Sequence, residues 1–161
     1  MTDIKTPEER SRNMAAIKST DTRPEMLVRR YLHCMGWRYR LHSKKLPGKP
    51  DIVMRRFMTV IFVNGCFWHG HRGCKYYRLP KSNTEFWEQK IEQNRLRDER
   101  DILALTELGW RVIVIWECEL RNGEQRKQTF KKLSGILSRT YTHQDSIFSK
   151  AAEPETTYGK D

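Results

Sequence analysis

The chain has 161 residues, enough for one domain with its own core and too few for two. Its 31 Lys and Arg against 20 Asp and Glu give a formal charge of +11, which points to a polyanionic partner, nucleic acid before an acidic membrane surface. No apolar stretch nears the roughly 20 residues of a membrane span, and the first residues lack the apolar centre of a secretion signal. A cytoplasmic protein without a membrane partner is expected.

In chain order, Thr6-Pro7-Glu8-Glu9 reads as a helix start, with a capping hydroxyl, proline at the first helical position and glutamate at N3. The rest of this segment is polar apart from Met14, Ala15, Ala16 and Ile17, so it is a poor core helix. A second start lies at Asp21 to Glu25. Met26, Leu27, Tyr31 and Leu32, with Cys34 or Met35, form its apolar stripe, Cys34 is expected in the core, and Gly36 stops the helix. Trp37, Tyr39 and Leu41 then alternate with polar residues as in a half-buried strand. A short strand, Asp51 to Met54, comes after the Pro47-Gly48-Lys49-Pro50 turn. Met58 to Val63 is continuously apolar and β-branched, as a central strand covered on both faces would be.

A long charged helix is expected from Thr84, its N-cap, to Leu108, ended by Gly109. Its apolar members are Phe86, Trp87, Ile91, Leu96, Ile102, Leu103 and Leu105. Arg111 to Trp116 reads as another buried strand, and its distance from the third makes that pair parallel. A final amphipathic helix is expected over Glu124 to Leu137. The order gives an α/β fold with a mixed central sheet flanked by helices, divided as an N-terminal arm over residues 1–20, a single domain over 21–138 and a polar, disordered tail over 139–161.

Cys66, His71 and Cys74 are spaced C-x4-H-x2-C, and Cys118 lies just past the last strand. Thiolate and imidazole together suit a structural zinc with four tetrahedral ligands. His69 lies between Cys66 and His71, and spacing leaves two possibilities open: a fourth ligand in place of Cys118, or a base beside the metal. Asp51 at a strand start could hold a hard cation. Glu25 and Asp98 are acidic residues on helices, and periodicity does not lift Asp98 above Glu99 and Asp101.

The stretches "RSRNMAAIKSTDTRPE", "LPGKPDIV", "VIFVNGCFWHGHRGC", "TEFWEQKIEQNRLRD" and "LGWRVIVIWECEL" cover most of residues 10 to 120. In content and order they resemble the very-short-patch repair (Vsr) DNA mismatch endonucleases. That resemblance implies a restriction-endonuclease-like core and a Mg2+-dependent, strand-specific nick 5′ of the thymine in a T:G mismatch. It implies two Mg2+ ions, with Asp51 and the backbone carbonyl of Val63 as protein ligands and Glu25 orienting water. His69 is implied as general base with Asp98 as its partner, and Cys66, His71, Cys74 and Cys118 as ligands of one Zn2+. Asn64 stands where well-known members have histidine: it can hydrogen-bond a water but cannot accept a proton. Because such mismatches arise from deaminated 5-methylcytosine, a functional link to a cytosine-5 DNA methyltransferase is implied. A monomer is expected.

Phe67 and Trp68 come directly after a cysteine on a loop, and Trp87 opens the long helix. By resemblance these three rings intercalate beside the mismatch. Met14 and Ile17, on the polar first helix, would lie across the minor groove and close a clamp.

Overall fold

The computed structural model describes residues 5–151. Its contacts divide the chain between Arg38 and Tyr39 into two units, each with its own architecture. In the first, helix α1 (Pro7–Ala15) starts where expected: Thr6 Oγ1 accepts the Glu9 N–H, and the Glu9 carboxylate accepts the Thr6 N–H. None of its residues is buried. Helix α2 (Arg23–Cys34) is capped by Thr22 and buries Val28 and Leu32 completely.

Two sequence-based expectations fail at the end of α2. Cys34 is exposed. Val28 and Leu32, one turn apart, form the buried stripe, and Cys34 falls on the opposite side of the helix. The strand expected from Trp37 is also shortened. Gly36 adopts φ +83, its N–H donates to His33, and the Trp37 N–H reaches back to Leu32 at 3.0 Å. That pair of hydrogen bonds is a Schellman closure, so Trp37 belongs to the helix end. Strand pairing begins only at β1 (Arg40–Leu41), where Leu41 is exposed.

The second unit holds a four-stranded sheet in the order β1-β2-β3-β4, with β2 (Ile52–Met54), β3 (Thr59–Asn64) and β4 (Arg111–Trp116). The first two pairings are antiparallel and β3 with β4 is parallel, as the long crossover requires. A 3-10 turn at Arg55–Phe57 joins β2 to β3. β3 lies between two partners and is buried along nearly its whole length. Its side chains alternate between faces. Val60 packs with Val53 and Leu105 in a core cluster that also takes in Phe62, while Ile61 and Val63 fill the other face.

Helix α3 (Thr84–Glu107) is the crossover. Its cap is Asn83, in a left-handed conformation, and not Thr84 as expected. The Thr84 hydroxyl instead donates back to the Pro80 carbonyl at 2.8 Å. Of its apolar residues only Ile91 and Leu105 are buried, each contributing roughly 1.5–3 kcal/mol. Phe86, Leu96 and Leu103 face solvent. Gly109 closes the helix at φ +84 by the same motif as Gly36. After β4 a 3-10 turn (Glu117–Leu120) leads to helix α4 (Gly123–Ala151). This helix continues well past Leu137, where it was expected to end. The part of the expected polar tail beyond residue 151 lies outside the described residues. Among the described residues no helix is long and apolar enough to cross a membrane.

Candidate metal centre and cleavage site

Four ligand atoms, from Cys66, His71, Cys74 and Cys118, lie within 4.8 Å of one another. Two sulfur-to-nitrogen separations end on His71 Nδ1, 3.6 Å from Cys66 Sγ and 3.5 Å from Cys118 Sγ. A tetrahedral zinc with Zn–S of about 2.3 Å and Zn–N of about 2.05 Å needs an edge of about 3.5 Å. The donor set therefore fits the ion, and the member that completes it is Cys118 rather than His69. The loop from β3 brings three donors through tight backbone turns, with the His71 N–H donating to Cys66 at 2.9 Å. The 3-10 turn after β4 brings the fourth. The His71 ring lies flat on Trp116, centroids 4.0 Å apart, which fixes its orientation. Burial pushes the Cys66 thiol up to about 12 and raises Cys118. At Cys74 burial also opposes charge, but hydrogen bonds from the Tyr76 backbone and from Cys66 outweigh it and lower the thiol.

His69, two residues before His71, turns the other way. Its Nδ1 lies 2.5 Å from Asp98 Oδ2 on α3, which leaves Nε2 as the nitrogen able to exchange a proton. Gly70 makes this possible, since an added Cβ there would sit 2.6 Å from both Ile91 Cγ2 and Arg95 Cδ. The loop is thus pressed against α3, and Asn94 Nδ2 holds it by donating to the Trp68 carbonyl at 2.9 Å.

Asp51 ends the β2 ladder. Its Oδ2 accepts the Val63 N–H at 2.8 Å, and its Oδ1 lies 3.9 Å from His42 Nδ1. The strand register pairs Ile52 with Ile61, so Pro50 falls opposite Val63. Having no N–H, Pro50 cannot continue the ladder, and the Asp51 carboxylate takes the donor instead. The next residue, Asn64, is 7% exposed and lines a cavity of 340 Å³ together with His69, Asp98, Lys44, Lys49 and Arg97. The carboxylate, the imidazole and the amide that sequence and resemblance single out are thereby gathered at the end of β3.

Phe67, Trp68 and Trp87 form one edge-to-face cluster, with ring centroids 5.2 to 5.8 Å apart. Phe86 extends it at 5.3 Å from Trp87 and is 60% exposed. In the sequence Phe86 is only an apolar member of the long helix. Its position one residue before Trp87, on a different face of the helix, was the available signal.

Glu25, Met14 and Ile17 belong to the first unit. Glu25 is 2% exposed. Its carboxylate accepts from Arg29 Nη2, from the Thr22 hydroxyl and from the Asp21 N–H, each at 3.0 Å. Three donors, one of them a guanidinium, compensate its burial and fix it in place. Met14 and Ile17 are 42% and 49% exposed.

The family model for DNA mismatch endonuclease Vsr matches residues 2–75. The type II nicking enzyme V.XorIIP of Xanthomonas oryzae pv. oryzae is 54% identical over 120 residues, covering 74% of this chain and 88% of that protein. V.NmeAIP, a type II nicking enzyme of Neisseria meningitidis, is 50% identical over 122 residues, 76% of this chain and 86% of that protein. DNA mismatch endonuclease Vsr of Escherichia coli is 45% identical over 125 residues, 78% of this chain and 80% of that protein. Identity at this level, spanning both the acidic strand start and the cysteine-histidine loop, means that the chain is an endonuclease belonging to the Vsr DNA mismatch endonuclease family.

Proposed function

We propose that the protein nicks one strand of duplex DNA 5′ of the thymine in a T:G mismatch, in a Mg2+-dependent reaction, on a restriction-endonuclease-like core held by a structural zinc. The observation that carries this reading is the His69–Asp98 pair at 2.5 Å, lining one cavity with Asn64, the neighbour of the Asp51-bonded Val63.

The residues fit a hard cation at Asp51. In a strand the N–H and C=O of one residue point the same way, so the Val63 carbonyl also faces Pro50, which has no N–H to give it. A carboxylate and a carbonyl are the sparse oxygen set that Mg2+ accepts while keeping most of its waters. When bound, the cation supplies Lewis acidity at the scissile phosphate. Asp98 holds His69 in the tautomer with its proton on Nδ1, so Nε2 can take a proton from the attacking water, and Asp98 stabilises the imidazolium that results. Asn64 can hold a water or a phosphate oxygen by hydrogen bond and cannot act as a second base. Family resemblance adds Glu25 as the carboxylate that orients water.

Mismatch preference stems from the aromatic cluster. Wedging rings between base pairs costs less where pairing and stacking are already weak, and Phe67, Trp68, Trp87 and the exposed Phe86 present such a wedge. Met14 and Ile17 would grip the opposite groove. Since T:G pairs result from deamination of 5-methylcytosine, the enzyme would serve alongside a cytosine-5 DNA methyltransferase. A panel of end-labelled duplexes tests this reading: T:G, the other mismatches and matched T:A, with each strand labelled in turn. The expected product is a single nick in the thymine strand of the T:G duplex. Equal cutting of matched DNA would remove the mismatch, and binding without a nick would favour a zinc-stabilised DNA-binding module.

A further inference from the structure

The cavity beside His69 carries more positive charge than proton transfer needs. Its 340 Å³ is room for about ten waters, and Lys44, Lys49 and Arg97 line it together with Asn64, His69 and Asp98. The two acids in its wall are already matched. Asp98 has His69 at 2.5 Å and Arg97 at 3.5 Å, and Asp101 has Arg100 at 3.7 Å. Among the described residues neither Lys44 nor Lys49 has an ion-pair partner, and both are exposed.

The loop carrying the lysines is built in place. Lys49 N–H donates to Leu46 at 3.2 Å, with Pro47 next and Gly48 at φ +70, the signature of a type II turn. A Cβ at Gly48 would meet Asp101 Cβ at 3.0 Å and Phe62 Cζ at 3.1 Å, so the turn lies directly on α3 and β3. Lys49 itself is left-handed at φ +48, a conformation that a long side chain adopts only when its surroundings impose it.

We propose that Lys44 and Lys49, with Arg97, form a clamp for one DNA backbone phosphate adjoining the nicked bond, and so act as positioning residues for the cut. This rests on the endonuclease reading above. A phosphate there would carry the strand past His69 Nε2 in one register, since phosphate contacts set register and orientation without reading sequence. The cations would also offset charge next to the reacting phosphate.

The test uses the full chain in EDTA, where binding is measured without cleavage, and in Mg2+, where nicking is measured. The variants are Lys44→Gln, Lys49→Asn, which tolerates the left-handed backbone, their double variant and Lys44→Arg. The T:G duplex carries a neutral methylphosphonate at each position along the nicked strand in turn. In the wild type one position flanking the nick should weaken binding about tenfold. The double variant should bind weakly to the unmodified duplex, lose at most the small share that Arg97 still holds at that position and respond normally elsewhere. Its slope of log K against log salt should fall by about 1, the value for one phosphate, and Lys44→Arg should keep most of the affinity that Lys44→Gln loses. Unchanged sensitivity at every position in the double variant, or no binding to duplex at all, overturns the clamp. A coupled loss in EDTA from a protein that does not nick would keep the clamp and remove the cleavage reading, and a protein that nicks without coupling would do the reverse.

Discussion

Replacing Cys118 with serine removes one of the four side chains that could hold a metal, the one through which a bound zinc would tie the turn after β4 to the loop after β3. The tether closes a long loop, because 47 positions separate His71 from Cys118. Chain entropy alone makes a cross-link over that span worth about 4 kcal/mol. A serine hydroxyl is a poor zinc ligand beside two thiolates and an imidazole, so the tether and most of the bound metal should go together. For a chain of this size each kcal/mol shifts Tm by about 2–4 °C, which predicts a fall of about 10 °C. Thermal unfolding followed by circular dichroism, with zinc content measured on the same samples, reads both effects. Chelating the wild type should bring its Tm down to that of Cys118→Ser, and the variant should ignore the chelator. If Cys118→Ser kept one zinc per chain and the wild-type Tm, Cys118 would not be a ligand and His69 would return as the fourth donor.

Asp98→Asn should keep the fold and DNA affinity and lower the nicking rate by about 10²–10⁴, since the imidazole loses the partner that holds its tautomer. Single-turnover rates and EDTA binding measured side by side separate this from lost binding. Trp68→Ala and Phe86→Ala should each reduce the preference for T:G over matched duplex by about 5- to 150-fold, the range for losing one stacking platform, and competition binding checks it. Zinc binding to the metal-free protein should release about two to three protons at neutral pH. Cys66 at about 12 and the raised Cys118 enter the site protonated, whereas the Cys74 thiol is lowered. Affinity should therefore rise with pH through this range, and calorimetry in buffers of different ionisation enthalpy counts the protons.

Much of this architecture was legible because local chemistry decides it. Thr6 with Glu9, Thr22 ahead of Pro24, and Gly36 and Gly109 after apolar stripes specify helix ends through caps that need only their own neighbours. The crossover length made β3 and β4 parallel before their register was seen. Spacing also brought Cys66, His71 and Cys74 together as donors. The failures depend on partners distant in sequence, or on competing bonds. Trp37 looked like a strand residue until its N–H was drawn into the α2 end. Thr84 looked like a cap until its hydroxyl turned to Pro80. Cys34 joined an apolar stripe that the packing at Val28 and Leu32 excluded. Asp98 could not be told from Asp101 by periodicity, since what separates them is the 2.5 Å approach of His69 from another element. Lys44 and Lys49 carry no signal in the sequence that sets them apart, because a cavity is a property of the fold and not of the loop.

In the proposed reaction a cation at Asp51 drives a nick at a mismatched thymine. Its most direct measurement is single-turnover cleavage of a labelled T:G duplex by the wild type and by Asp51→Asn, in Mg2+ and in EDTA. The wild type should give one Mg2+-dependent nick 5′ of the thymine, and Asp51→Asn should give none despite duplex binding in EDTA within a few-fold of wild type. Cleavage by Asp51→Asn at the wild-type rate, or by the wild type in EDTA, would contradict it.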